Sequence, residues 1–452
     1  MGVPRQDSRR RPADPGIRVA HLATYPPTEC GIATFTQDLS NALDAQSRCL
    51  PSRVLAISPD GAACDYPPNV CRWLRRDRAE DYLQAAEHVN ASDAAVASVQ
   101  HEFGIFGGEW GAHLLTFLEA VAKPVVITLH TVLPEPEEGM RRTLARVCRC
   151  ADAVVVMNPV AVHLLDEVYG VPRAKTRMIH HGVPVFHPRR QERMKRRLGC
   201  AGRTVLSTFG LINPGKGIEH AIRAMAVIAA RHPKALYLIL GQTHPGVRRH
   251  SGEAYRESLQ GLIAELGLTR HVRFENRYLT KPELIAYLEA TDIYVTPYLN
   301  PDQMVSGALA YAVGAGKPVI STPYLYALEL LGDRRGMIVD FTNPEAIAEA
   351  ADLLLTRPPL RRGIALRARR LGRRMVWSHV AEQYLDVFEE VLRPHRAAAP
   401  TAYLDSGLLA ATPTTGKPKS HADLPARQPR SPAHAERRDR NHPARHLLDS
   451  EP

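Results

Sequence analysis

The chain has 452 residues, of which 44% are hydrophobic and 6% aromatic, and its formal net charge is +11. These values fit an α/β protein of two globular domains with tails, and the lack of any run of 18 or more apolar residues argues against a membrane span. The polar, Arg-rich start has no apolar centre, and the seven cysteines form no metal or disulfide pattern, so we expect a cytoplasmic protein without a secretory signal.

Much of the excess positive charge lies in residues 5–11, in residues 361–374 and in the tail after Arg393. Such runs are usually solvated faces, so no specific nucleic-acid binding is predicted. At most, the basic surface favours a weak peripheral contact with an anionic membrane or an acidic acceptor.

The first half of the chain alternates strand and helix patterns. Residues 1–16 are charged and contain proline, so they predict a disordered tail. A buried strand is predicted at residues 18–23, followed by a turn-rich loop and a helix at residues 32–43. Further strands are predicted at residues 53–57, 94–99, 124–128, 153–157 and 176–179. This alternation predicts a parallel sheet.

A basic connector at residues 188–203 is followed by a second series of the same kind. Strands are predicted at residues 205–209, 235–240, 272–274, 293–296, 318–321 and 336–339. An amphipathic helix is predicted at residues 375–392, and the Pro-, Ala-, Arg- and His-rich segment after it predicts a disordered basic tail.

The expected fold class is therefore α/β, with two doubly wound Rossmann-like domains facing a central cleft. The predicted division is a tail at 1–16, a first domain at 17–190, a second domain at 191–375, a helix crossing back to the first domain at 376–395, and a basic tail at 396–452.

Two glycine-containing turns in the second half are typical of phosphate binding. A β-rich run ends at Phe209-Gly210 and leads into the turn Pro214-Gly215-Lys216-Gly217 and a helical pattern. Further on, Ser306 and Gly307 open a helix of small residues, where serine is a good N-cap and glycine permits close approach. Such turns aim backbone N–H groups and the positive end of a helix at phosphate, so we expect a nucleotide ligand.

Other short segments follow in a characteristic order. They are the Gly31 loop, residues 128–131 (TLHT), His181-Gly182-Val183, the two turns at 209–217, residues 290–297 (ATDIYVTP) and residues 316–322 (GKPVIST). In this order they resemble the family 4 retaining glycosyltransferases of the GT-B fold, over roughly residues 17–392.

The resemblance implies transfer of a hexosyl group from a UDP- or GDP-linked sugar to a saccharide, lipid or small-molecule acceptor, with the anomeric configuration retained. The second domain would then hold the donor and the first would face the acceptor. Neither a metal nor a cofactor is implied, since the nucleotide sugar is a substrate.

A site without metal must stabilise the negative charge of the leaving phosphate with fixed donors. Lys216 is predicted to supply the cation, the alternative being a solvated turn lysine. Further donor-binding residues are predicted at Gly31, Gly210, Gly215, Ser306 and Gly307. For Ser306 and Gly307, a purely structural turn is the alternative.

Two departures from the family pattern affect this site. Where the family has an arginine after the first glycine, this chain has Leu211, and Arg277 or Lys281 are the nearby cations that could replace it. Such a loss would weaken neutralisation of the diphosphate charge.

The paired glutamates of the family align with Gln303 and Tyr311. Gln303 can hydrogen-bond a sugar hydroxyl but carries no charge, and Asp302 is predicted to supply the carboxylate in its place. Tyr311 either contacts the ribose through its hydroxyl or packs as a helix aromatic.

Three polar residues of the first half follow predicted strands, where doubly wound folds place functional groups. His130 matches the active-site histidine of the family and is predicted at the reacting face of the sugar, the alternative being a core histidine. His101 and Glu102 are predicted to contact acceptor hydroxyl groups.

Two other functions remain open at this point. One is a sugar- or nucleotide-binding protein with a degenerate site, which Leu211, Gln303 and Tyr311 suggest. The other is a phosphorylase or synthase that uses a sugar phosphate, because related two-domain folds host such chemistry.

Overall fold

The computed structural model describes residues 16–59, 61 and 64–398, with side chains to residue 393. Nearly all of the two predicted tails, residues 1–16 and 396–452, lies outside the described residues. The described part contains two parallel sheets with helices packed on both faces. The predicted α/β class with two doubly wound domains is therefore confirmed.

The first domain is built on a seven-stranded sheet in the order β3-β2-β1-β4-β5-β6-β7. Its strands are β1 (Ile17–Ala23), β2 (Cys49–Ser58), β3 (Val70–Arg75), β4 (Val96–His101), β5 (Val125–Leu129), β6 (Ala153–Val156) and β7 (Thr176–Met178). The helices are α1 (Gly31–Asp44), α2 (Ala79–Ala91), α3 (His113–Ala120), α4 (Glu138–Cys150) and α5 (Pro159–Glu167).

The second domain follows α6 (Gln191–Arg197) and has a six-stranded sheet in the order β10-β9-β8-β11-β12-β13. Its strands are β8 (Thr204–Phe209), β9 (Ala235–Leu240), β10 (Val272–Glu275), β11 (Ile293–Thr296), β12 (Val319–Ser321) and β13 (Met337–Ile338). The helices are α7 (Ile218–Arg231), α8 (Pro245–Ser251), α9 (Ala254–Glu265), α10 (Lys281–Ala290), α11 (Gly307–Gly314), α12 (Leu325–Leu330), α13 (Pro344–Thr356) and α14 (Pro358–Arg374), and α15 (Trp377–Ala398) ends the described chain.

The sequence analysis missed one strand, β3. It lies at the edge of the first sheet and pairs only with β2. Leu74 is its single buried residue, whereas Arg72 and Trp73 are half-buried or exposed. An edge strand with one buried side chain shows neither a continuous apolar run nor a clear alternation, so the pattern that revealed the other strands was absent.

Strand order places a crevice in the middle of each sheet. In the first sheet, β1 has β2 on one side and β4 on the other, and in the second sheet β8 lies between β9 and β11. From the central strand, one connection leads to the strand on one side and a later connection leads to the strand on the other side. The loops at the carboxyl ends of these strands therefore diverge and leave room for a ligand. The Gly31 loop follows β1, and the Lys216 turn follows β8.

Helix α15 packs on the first domain after the chain has crossed back from the second. At the crossing, Val183 N–H donates to the Met375 carbonyl (2.8 Å) and Trp377 N–H donates to the Val183 carbonyl (3.1 Å). Val380 and Phe388 are fully buried in the apolar cluster that covers one face of the first sheet. None of the described helices is both long and apolar enough to cross a bilayer.

Helix α1 has two different faces. Phe35, Leu39 and Leu43 pack into the apolar cluster of the first domain at helical spacing. On another face, Thr34 and Asp38 lie four residues apart and contact the second domain. This helix therefore belongs to the core of one domain while touching the other.

Candidate active site

The turn that carries Lys216 depends on glycine at two positions. Gly217 has a left-handed backbone (φ +58°), and a Cβ there would lie 2.2 Å from the Pro297 carbonyl oxygen. Gly241 (φ +130°) lets the neighbouring loop approach, since a Cβ there would lie 2.1 Å from the Gly210 carbonyl oxygen. Only a residue without a side chain fits such a close backbone approach. The turn is thereby held against the loops that follow β9 and β11.

Lys216 extends from this turn over an aromatic ring. Its Nζ lies 3.8 Å from the centroid of Tyr298, a cation–π distance. Burial lowers the pKa of Lys216 to about 8. No carboxylate pairs with it among the described residues. A partly desolvated cation without a protein counter-charge is suited to receive an anion.

The N-terminus of α11 lies in the same region. Ser306 caps the helix by accepting the Leu309 N–H at 3.2 Å, as the sequence predicts for its position. The Tyr298 side chain lies near Ser306, and its buried hydroxyl has no hydrogen-bond partner in the described structure. The positive end of the helix and the lysine therefore face a common space.

His181, which follows β7, lies against this helix start. A Cβ at Gly307 would be 3.0 Å from the His181 Nε2 atom, so glycine allows the ring to approach. Burial lowers the pKa of His181 to about 4, so the ring is neutral near pH 7. Its Nδ1–H donates to the Gly182 carbonyl at 2.7 Å, which leaves Nε2 as an acceptor directed toward α11.

His130 follows β5 on the opposite side of the same region. Its Nε2 is hydrogen-bonded to Gln100 Oε1 at 3.1 Å, so Nε2 carries the proton and Nδ1 is left as an acceptor. Burial lowers the pKa of His130 to about 3, with a smaller contribution from His181 and His101. Phe35 stands edge-on to both His130 and His181, with ring centroids 4.8 and 5.1 Å away. The two neutral rings are thus held together by one aromatic side chain of α1.

The two acceptor-side candidates lie deeper than the sequence suggests. His101 is fully buried against Phe106, and neither ring nitrogen has a hydrogen-bond partner in the described structure. Glu102 accepts a hydrogen bond from the Thr131 hydroxyl at 2.6 Å, and burial raises the pKa of its carboxyl group. Thr131 adjoins His130, so Glu102 supports the chain next to that histidine.

Asp302 and Gln303 lie in the loop that leads into α11. The Gln303 Nε2–H donates to the Val305 carbonyl at 3.1 Å, which orients this amide within its own loop. Asp302 is half-buried, and its backbone N–H donates to Asn300 at 3.0 Å. Met304, between these residues and Ser306, packs into the apolar core of the first domain. The loop is therefore part of the contact between the two domains.

Tyr311 packs as a helix aromatic, because its ring is 6% exposed and lies in an apolar cluster beside Phe209, with ring centroids 6.1 Å apart. Its hydroxyl donates to the Asp38 carboxylate of α1 at 2.9 Å. Asp38 is 4% exposed and also forms an ion pair with Lys281. This set of three side chains, the Asp38 bridge, joins α1 to the second domain.

The other proposed replacement cation is engaged as well. Arg277 pairs with Glu283 at 2.9 Å and is 48% exposed. Neither Arg277 nor Lys281 is therefore free to replace the guanidinium that Leu211 lacks. His244 lies near Lys216: burial lowers the pKa of its imidazole, and the charge of Lys216 lowers it further.

Two further contacts join the loop before α1 and the start of α1 to the second domain. Glu29 accepts a hydrogen bond from Gln242, and Thr34 is hydrogen-bonded to Tyr278 at 3.1 Å. Gly31 lies at the exposed start of α1, and a Cβ there would meet no atom within 4 Å. At this glycine the space above the helix is open.

Sequence reasoning did not select Tyr298, His181 and Asp38 as site residues. Tyr298 and His181 each follow a strand closely, which is a signal that a search of strand ends would have used. Asp38 lies inside an amphipathic helix and gives no such signal. Within the described ranges, no group of three or more His, Cys, Asp or Glu side chains is arranged to hold a metal ion.

Comparison with known proteins gives two family matches. Residues 30–185 match the model of Glycosyltransferase Family 4, and residues 191–371 match that of Glycosyl transferases group 1. A D-inositol 3-phosphate glycosyltransferase of Nocardioides sp. is 27% identical over 345 residues, which cover 74% of each chain.

Two solved structures share the fold. Sucrose-phosphate synthase from Thermosynechococcus elongatus superposes with a TM-score of 0.66 at 18% identity, covering 84% of this chain and all of that one. The Anabaena protein HepE in complex with UDP gives a TM-score of 0.63 at 16% identity, covering 83% of this chain and all of that one. The two family matches meet at the linker and agree with the GT-B arrangement of the two sheets, so the chain belongs to the family 4, group 1 glycosyltransferases.

Proposed function

We propose that the protein is a retaining, metal-independent hexosyltransferase that uses a UDP- or GDP-linked sugar and an acceptor bearing a hydroxyl group. The observation that carries this proposal is the position of Lys216. It extends from a glycine-dependent turn, lacks an acidic partner in the described structure, and lies over Tyr298 next to the N-terminus of α11. A diphosphate is the ligand that such a cation and helix start favour.

The reaction assigned to the site is a direct exchange at the sugar. The bond between the anomeric carbon and the diphosphate oxygen breaks, and a bond from the acceptor hydroxyl oxygen forms on the same face. The hydroxyl proton passes to the leaving phosphate oxygen. Lys216 and the N–H groups at the start of α11 stabilise the negative charge that develops there.

The first domain supplies neutral groups to the same reaction. His130 Nδ1 and His181 Nε2 are acceptors at neutral pH, because burial keeps both rings uncharged. They are suited to accept hydrogen bonds from sugar hydroxyl groups, and they are not suited to act as cationic acids. We assign them to positioning of the donor sugar, with the acceptor entering past Gly31.

We infer that donor binding moves the loops around Lys216. A cavity lined by Lys216, Gly210 and Leu211 measures about 10 Å³. Ligand pockets of drug-sized molecules are about 300–1,000 Å³. The Asp38 bridge and Met304 also join the two domains.

A thermal-shift panel tests the proposal. Clear stabilisation by UDP or GDP, lost in Lys216→Ala and kept in Lys234→Ala, supports a nucleotide-sugar transferase. Lys234 is exposed and outside the site, so it controls for the loss of one charge. Stabilisation by sugar phosphates alone would favour a phosphorylase or synthase and would overturn the proposal.

A degenerate binding protein remains the second candidate, because Gln303 and Tyr311 replace carboxylates and Arg277 is paired with Glu283. Turnover separates the two candidates. Release of UDP or GDP from a nucleotide sugar should be measured with a panel of hydroxyl acceptors. The name of the Nocardioides relative makes D-inositol 3-phosphate one acceptor to include. Nucleotide binding with no acceptor-dependent release across the panel would favour the binding protein.

A further inference from the structure

A second cluster of cations lies outside the cleft. Four arginines, Arg335, Arg367, Arg370 and Arg374, line a surface cavity of about 380 Å³ together with Asp333 and Leu371. We call this cavity the arginine pocket. Its volume falls within the range of about 300–1,000 Å³ found for small-molecule sites.

The arginine pocket is separate from the donor cleft. Three of its arginines belong to α14, and Arg335 comes two residues before β13. The loop of Arg335 therefore meets the amino end of its strand, whereas the Lys216 turn follows the carboxyl end of β8. No residue that lines the arginine pocket takes part in the contacts described for the cleft.

Arg335 is held in place from several directions. Its guanidinium donates to the Leu330 carbonyl at 2.7 Å, to the Glu329 carbonyl at 3.0 Å and to the Asp333 carboxylate at 2.6 Å. Asp333 and Arg334 both have left-handed backbones, with φ of +53° and +57°. Two consecutive non-glycine residues seldom adopt this conformation, so the loop is held in an unfavourable backbone state by the contacts of Arg335.

The arginines of α14 share one helix face. Arg370 and Arg374 follow Arg367 by three and seven residues, which places all three side by side. Arg367 donates to the Arg334 carbonyl at 2.9 Å, whereas Arg370 and Arg374 are exposed and have no carboxylate partner among the described residues. Adjacent like charges destabilise a helix. A helix dipole favours Arg374 in the last turn, but it does not account for the full row.

We propose that the arginine pocket binds a phosphate group, carried either by a soluble phosphorylated molecule or by the headgroup of an anionic lipid. Guanidinium groups bind phosphate oxygens in pairs, and the donors of Arg370 and Arg374 have no hydrogen-bond partner within the described part of the chain. The fixed Arg335 would complete the site from the opposite wall. Asp333 offsets only one of the four positive charges, so the pocket favours an anion.

Calorimetry with inorganic pyrophosphate at constant ionic strength tests the proposal. The wild-type chain should bind two equivalents, one at Lys216 and one in the arginine pocket. Arg370→Ala with Arg374→Ala should retain one equivalent, with affinity at the pocket reduced at least about tenfold, as expected when charge-assisted contacts are lost. The matched control is Arg223→Ala with Arg362→Ala, two exposed arginines of the second domain outside both sites.

The outcomes distinguish this inference from the proposed function. If Lys216→Ala removes the second equivalent, both sites are supported. If the wild type binds one equivalent that only the Arg370 and Arg374 pair removes, the arginine pocket stands and the donor site fails. Equal weakening by the test and control pairs, or no effect of the test pair, would overturn the inference.

Two further probes identify the source of the phosphate. Glycerol 3-phosphate represents a soluble phosphate ester, and vesicles of phosphatidylglycerol in phosphatidylcholine represent a lipid surface. Binding of the first that depends on Arg370 and Arg374 indicates a soluble ligand. Co-sedimentation with the second that depends on the same pair indicates a lipid headgroup. If the binding of every probe is the same with and without the Arg370 and Arg374 side chains, the proposal is contradicted.

Discussion

The two halves of the candidate active site are built in different ways. In the second domain, the groups proposed to face phosphate come from short turns, with Gly217 setting the backbone next to Lys216 and Ser306 capping α11. In the first domain, His130 and His181 are brought together by packing around Phe35, far from each other in the chain. Local chain geometry thus builds one half, and long-range packing builds the other.

The electrostatics of the two halves differ in the same sense. Burial lowers the pKa of Lys216 to about 8, so it remains mostly charged at neutral pH. Burial lowers the pKa of His130 to about 3 and that of His181 to about 4, so both are neutral there. The positive charge is on the side where the leaving diphosphate is proposed to bind, and the neutral groups face the sugar. Substitutions on the two sides should therefore affect different steps.

The largest effect is expected for Lys216→Ala. Losing the cation of a shielded phosphate site should cost about 2–4 kcal/mol of transition-state stabilisation. Turnover of a nucleotide sugar should fall accordingly while the thermal melting curve stays cooperative. Lys234→Ala serves as the control, and unchanged kinetics of Lys216→Ala would refute its assignment.

His130→Ala should have the next largest effect and should separate the two halves. Loss of a buried hydrogen-bonding group is expected to raise the activation free energy of turnover by about 1–3 kcal/mol. Affinity for UDP or GDP, measured by calorimetry, should change little because the nucleotide is proposed to bind mainly to the second domain. A proportional loss of both quantities would make His130 a donor-binding or structural residue.

Asp302→Asn and Gln303→Ala compare the two residues that stand in for the missing carboxylate. If Asp302 supplies the charge, Asp302→Asn should reduce turnover more than Gln303→Ala does. The difference in activation free energy should be about 1 kcal/mol. Kinetics with a single nucleotide sugar would show the order. The reverse order would mean that Gln303 alone positions the sugar.

Tyr311→Phe should have the smallest effect on turnover and the clearest effect on the radius of gyration. Removing the hydroxyl breaks its hydrogen bond to Asp38, which is worth about 1.5–3 kcal/mol for a charged acceptor. We expect a larger radius of gyration by X-ray scattering with UDP affinity nearly unchanged. Loss of UDP affinity without a change in scattering would instead support a ribose contact for Tyr311.

The strands and the phosphate-facing turns could be predicted because their signals are local. The run that forms β8, the glycines around Lys216 and the cap at Ser306 are each readable within a few residues. The edge strand β3 was missed because it buries only Leu74. Burial beneath packed helices leaves a pattern in the sequence, and β3 lacks this pattern.

Partners that meet only in the folded chain could not be predicted. Tyr311 and Asp38 are 273 residues apart, and nothing near either residue indicates the other. Arg277 and Lys281 are the cations that could replace the one missing at Leu211, and each pairs with a carboxylate. The pairings of Asp38 with Tyr311 and Lys281 depend on how the two domains approach each other, which local patterns do not encode.

A crystal structure with bound UDP or GDP would test the central claim most directly. The account predicts a diphosphate within hydrogen-bonding distance of Lys216 Nζ and of the backbone N–H groups at the start of α11, with the open side directed toward His130. A nucleotide bound elsewhere, or a diphosphate that contacts neither Lys216 nor α11, would contradict the account.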